Sequence, residues 1–115
     1  MPRRFLVGLA LALLPLPGPG AEAELAAARA LLTARRPAEA QAALERLHAA
    51  HPANAEVNHW LGQLANRRGD ATQAITYFTA AATAEPHAGR HQQGLGDAYG
   101  RQAERAGIFG GLGLA

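Results

Sequence analysis

His87 and His91 stand four residues apart, so on a helix they would share one face and could offer two nitrogens to a metal ion. No carboxylate or third nitrogen is spaced to join them, and His87 directly follows the helix-stopping Pro86. His48 and His51, three apart, fall at a helix end, where imidazole complements the C-terminal dipole. His59 stands alone in a helical stretch, which suits groove contact or plain exposure better than catalysis. Nucleophiles are scarcer still. The 115 residues contain no cysteine and no serine, which removes disulfides, thiolate ligands and serine nucleophiles. They contain no lysine either, so Gly110-Gly111-Leu112-Gly113 lacks the Lys-Ser/Thr of a phosphate loop. Gly94, Gly96 and Gly100 follow no strand, and Tyr99 breaks the dinucleotide fingerprint. Glu39 and Glu45 lie six apart on one helix and do not converge; solvated pairs with arginines such as Arg46 are expected. No nucleophile, base and orienting group can be assembled. The expectation is a protein that is not an enzyme, with no cofactor and no metal.

Charge adds little. Eleven arginines face nine acids, a net of +2. Removing residues 1–23 takes away Arg3, Arg4 and Glu22, leaving nine arginines against eight acids. That balance, with 5 % aromatics, gives no footing for nucleic acid. Arg35-Arg36 and Arg67-Arg68 each end a helix, where cations offset the dipole. Trp60 and Tyr77 read as packing residues.

The elements that must carry these residues are helices. Apolar residues make up 49 % of the chain, and alanine dominates them. Ala, Leu, Glu, Gln and Arg favour helix over strand. Residues 1–23 are an address rather than a fold. Arg3-Arg4, an apolar run from Phe5 to Leu14, then Pro15, Pro17 and Ala21-Glu22-Ala23 match a secretory signal peptide cut after Ala23, with Ala21 as the alternative. The apolar run falls short of the ~20 residues of a spanning helix. An exported bacterial protein, periplasmic or secreted, is expected; the alternative is anchorage by an uncleaved segment.

Beyond the leader, helices are predicted over 24–33, from Pro37 to Pro52, over 55–67 with Asn54 as cap, and over 71–84. Asp70 caps the last of these, with Gln73 as capping-box partner. A fifth runs from Ala88 to Ala106, after which four glycines in nine residues should break it. These elements repeat. Ala40, Leu44 and Pro52 recur 34 residues later as Ala74, Phe78 and Pro86; Ala28, Gly62 and Gly96 share that period, as do Leu61 and Leu95. Each unit is a helix pair. Small residues mark the close crossings (Ala28, Gly62, Gly96, Ala40 and Ala74), and Leu44 or Phe78 fills the gap one turn later.

The sequence resembles the tetratricopeptide repeat family. The resemblance covers roughly residues 21–101 and is clearest in Ala55–Pro86, with Leu61-Gly62, Gly69-Asp70, Ala74, Phe78, Ala81 and Pro86. Departures are Glu24, Asn58 and Gln92 at the family's early large position, a tyrosine seen only at Tyr99, and Arg35-Arg36-Pro37 in place of the first glycine turn. The resemblance implies an all-α solenoid of about two and a half repeats: 24–52, 55–86 and an incomplete 89–106, with a Gly-rich tail at 107–115. It also implies protein–protein recognition through a groove lined by the first helix of each pair. The groove slots map onto His59, Gln63, Asn66 and Arg67, then Arg90, Gln93, Asp97 and Arg101, and in the first unit Leu25, Arg29, Leu32 and Thr33. The expected occupant is an extended peptide of a protein partner with an acidic group near Arg67 or Arg101. No nucleic acid is expected, and no membrane beyond the transient leader. Ile108, Phe109, Leu112 and Leu114 are expected to be exposed at an unfinished end. That end suggests a fragment of a larger exported repeat protein or enzyme, or a module that pairs with a second copy.

Overall fold

The computed structural model describes residues 19–111, which form five helices: α1 Pro19–Thr33, α2 Pro37–Ala50, α3 Ala55–Arg67, α4 Ala71–Ala84 and α5 Gly89–Gly111. No strand occurs among the described residues. Residues 1–18, Leu112 and Leu114 lie outside them, as do the side chains of Ile108 and Phe109.

Helix starts follow from side-chain chemistry. Asn54 Oδ1 accepts the Val57 amide at 3.0 Å, and Asp70 Oδ1 accepts the Gln73 amide at 3.1 Å. The reciprocal half of the capping box is not formed, because the Gln73 side chain instead accepts a hydrogen bond from Arg68. α2 opens without a side-chain cap and relies on Pro37 in its first turn. α1 starts at Pro19, ahead of the expected Glu24, so the Ala21-Glu22-Ala23 site lies within its first turns. α5 continues to Gly111, five residues beyond the expected end at Ala106. Extending an existing helix gains one hydrogen bond per residue, and that gain offsets glycine's ~1 kcal/mol propensity cost.

The 34-residue period extends to the backbone itself. Arg36 N donates to Leu31 O and Asp70 N to Ala65 O, each at 2.9 Å. Arg35 N donates to Leu32 O and Gly69 N to Asn66 O, each at 3.1 Å. Arg35 (φ 59°) and Gly69 (φ 82°) both take the left-handed conformation. The first unit thus makes the glycine turn without glycine. A left-handed L-residue costs roughly 1–2 kcal/mol, and glycine's extra unfolded-state freedom takes back up to about 1 kcal/mol. Arg35→Gly is therefore expected to stabilise the chain by about 0.5–1 kcal/mol, read as a higher urea midpoint with an unchanged slope.

Sequence neighbours are spatial neighbours: α1 packs on α2, α2 on α3, α3 on α4 and α4 on α5, while α3 also meets α5 directly. This is solenoid packing. The apolar interior falls into two clusters. Leu25, Ala28, Leu44, Leu47, Val57, Leu61 and Leu64 join the first three helices, with Leu32, Ala43, Trp60 and Tyr77 against them. Ala65, Ala74, Phe78 and Ala98 join the last three, with Ile75 and Leu95 alongside.

Candidate functional site

The first helices of the three units supply the expected groove residues, and packing sorts them into two groups. Arg67, Arg90, Gln93, Asp97 and Arg101 are exposed, with Gln63 half-buried. His59 and Asn66 are 5 % and 4 % exposed, so they form the seam between α3 and α5 rather than a contact surface. In the first unit Arg29 and Thr33 are exposed, Leu32 is half-buried and Leu25 belongs to the core. Arg29 is bound to Glu56 of α3 at 2.7 Å.

The seam is polar. Asn66 Nδ2 donates to the Gly94 carbonyl at 3.4 Å, while its buried Oδ1 has no partner. Arg101 Nη1 donates to the Asn66 carbonyl at 3.1 Å. The Nδ1 atoms of His59 and His91 lie 3.0 Å apart, and His91 Nε2 meets Glu85 Oε1 at 2.7 Å. His91 is wholly buried while His87 is exposed, so the spacing of four does not make a shared site. Burial, reinforced by the Arg90 charge and then by His91, pushes His59 down to about 4. The hydrogen bond from His91 holds the Glu85 carboxyl below its usual value. Among the described residues no three His, Asp or Glu side chains converge as a metal site.

Phe78 closes the seam from below. Its ring, 0 % exposed, lies between Gly62 of α3 and Gly94 of α5. A Cβ at Gly62 would stand 2.8 Å from the ring, and one at Gly94 only 2.4 Å. Gly96, expected at a close crossing, has nothing within 4 Å, because among the described residues no helix covers that side of α5. Gly94 was missed: one repeat earlier its place is held by Trp60, so the 34-residue register gives no hint of a close approach. Elsewhere His48 sits edge-on to Tyr77 at 5.7 Å, tying α2 to α4. Glu39 pairs with Arg36 at 2.6 Å, and Glu45 accepts from Gln41 at 2.8 Å.

A cleft of about 530 Å³ lies between the α3–α4 turn with the start of α4 (Arg68, Asp70 and Thr72) and α5 (Arg101, Gln102 and Arg105). Arg68 is held by the neutral side chains of Gln41 and Gln73, and Arg101 by a backbone carbonyl. Neither these two nor Arg105 is paired with a carboxylate among the described residues. The Arg68 and Arg101 guanidinium groups are thus held by neutral partners, with Asp70 the one carboxylate among the residues lining the cleft.

A family model described as tetratricopeptide repeat matches residues 25–89, more than half of the chain. The chain belongs to the tetratricopeptide repeat family. No curated protein matches it. The family match ends at the first residue of α5, so the third unit is defined by packing: α5 lies on α4 as α3 lies on α2. Tetratricopeptide repeats are generally non-catalytic modules that bind protein or peptide partners.

Proposed function

We propose that this tetratricopeptide repeat chain is a non-catalytic interaction module of the cell envelope, exported by its N-terminal leader, and that it receives an extended acidic peptide of a partner protein along α3 and α5. The observation that carries this reading is the arginine cleft between the α3–α4 turn and α5. Gln63 and Gln93 offer amides that can donate to and accept from a peptide backbone, and Arg68, Arg101 and Arg105 supply the cationic end. Pairs of this kind, formed at an open surface, weaken with salt.

The test is an array of extended peptides of equal length and varied charge, probed with the purified chain. Acidic peptides are expected to be captured and released between 0.1 and 0.5 M salt (roughly a halving of the screening length). Arg101→Glu combined with Arg105→Glu is expected to weaken capture at least about tenfold, since each charge-assisted contact is worth ~1.5–3 kcal/mol. Equal capture of acidic and basic peptides would sink the reading. Export predicts that the chain recovered from the producing cell begins at Glu24 by mass spectrometry.

A second reading has its own observation. Tyr99 is 52 % exposed on α5 beside half-buried Leu95, and nothing packs over Gly96 among the described residues. That face suits a second copy of the chain, and sedimentation as a stable monomer would dismiss it.

A further inference from the structure

Two buried rings facing nitrogen to nitrogen have limited room for protons. A neutral imidazole carries one ring proton and an imidazolium carries two. His91 Nε2 faces the Glu85 carboxylate and therefore holds a proton there. Its Nδ1 either accepts from His59 Nδ1 or, when His91 is charged, donates to it. In both arrangements the 3.0 Å gap contains a single proton. If both rings were charged with His91 still on Glu85, two N–H groups would collide in that gap and two like charges would face each other with ring centroids 5.0 Å apart. With His59 5 % and His91 0 % exposed, water cannot relieve them.

We propose that the His59–His91 pair is an acid-sensitive latch between α3 and α5, closed while one proton bridges the rings and opened when both are charged. The charged groups facing it come from every neighbouring element. Glu56 lies on His59's own helix and is tied to Arg29 of α1. Glu85 ends α4, and Arg90 of α5 reaches Glu85 at 3.8 Å. The remaining walls are aromatic, Trp60 at 5.2 Å and Phe78 at 5.5 Å from the His59 ring. Only the two carboxylates favour a charged His59, and burial, Arg90 and His91 outweigh them.

The sign follows from linkage. Unfolded His59 takes a proton near 6.5, whereas folded His59 refuses it until about 4. Stability is therefore full above about 6.5, falls as pH drops toward 4, and changes no further below that on this group's account. The lowered Glu85 carboxyl adds a loss at more acidic pH, as protonation removes its bond to His91. α5 is the element released, because its direct links to α3 include this pair, the Asn66–Gly94 bond and the Arg101–Asn66 bond. On the peptide-binding reading above, opening carries Gln93, Asp97 and Arg101 away from Gln63 and Arg67, so acid would release the partner.

The experiment uses the full chain without peptide. Ring-nitrogen NMR and amide exchange, corrected for intrinsic rates, are followed from pH 8 to 3.5. His59 is expected to stay neutral to about pH 4. Protection of α5 is expected to fall across the window by up to about 300-fold, the ratio corresponding to that shift. The matched control is the double variant His59→Leu with His91→Val. It installs the residues found one repeat earlier, Leu25 and Val57, which pack together in the first cluster. Its α5 protection is expected to be flat between pH 6.5 and 4. A folded His59 titrating near 6.5, or a double variant keeping the response, would overturn the latch. The wild-type ring titration decides the matter even if the variant misfolds. Acidic-peptide binding at pH 7 is measured separately, so a chain that binds no peptide there removes the groove reading and leaves the latch standing.

Discussion

Phe78→Ala is expected to destabilise the chain by about 3–5 kcal/mol, close to the whole stability of a small domain. Phe78 is the one large side chain fully buried in the second cluster; the other buried members are Ala65, Ala74 and Ala98. The helices cross on alanine and glycine with only Ile75 and Leu95 alongside, so most of the space left by the ring stays empty. The loss also falls unevenly. The first cluster has its own Leu44, Leu47, Leu61 and Leu64 and does not depend on the ring. Urea unfolding followed by circular dichroism and by Trp60 fluorescence is expected to separate into two transitions, α5 melting first. Coincident transitions with a loss under 1 kcal/mol would show that Phe78 is not the plug.

Gly94→Ala is expected to destabilise by about 1–3 kcal/mol, although alanine is the better helix former by roughly 1 kcal/mol. The new Cβ would lie 2.4 Å from Phe78 Cε1 and Cζ. The ring cannot retreat, because Gly62 borders it on the other side at 2.8 Å for a built Cβ. Gly96→Ala, two residues along the same helix, meets nothing within 4 Å and is expected to stabilise by up to about 1 kcal/mol. The opposite signs of the two substitutions, read from urea midpoints, separate steric contact from helix propensity. Adding Phe78→Leu to Gly94→Ala is expected to recover part of the loss.

Local chemistry was legible in the sequence. Asn54 and Asp70 cap the helices they were expected to cap, and Ala74, Phe78 and Ala81 are buried as their spacing indicates. What depends on how closely two helices approach was not. The groove register included His59 and Asn66, yet both are buried, since α5 comes near enough to cover them. The register did contain an unused hint: His59 and His91 occupy the positions of Leu25 and Val57, both buried, and a histidine in such a slot must find a partner. Surface ion pairs were legible only as a tendency. Glu39 chose Arg36 because exposed pairs differ by tenths of a kcal/mol. The end of α5 was misjudged by weighing glycine residue by residue, when elongation from a formed helix is cooperative.

The two units share one turn geometry to within 0.2 Å in matched hydrogen bonds, but their junctions are cut differently. Phe78 needs the emptiness of Gly94; one repeat earlier the corresponding pair is Leu44 and Trp60, a smaller plug facing a larger wall. A gene that duplicated or permuted these blocks would keep every bend of the main chain and still set an indole where the phenyl ring requires nothing. The order of the modules is thus written in side-chain volume, and the array has an addressed sequence of joints rather than an interchangeable one.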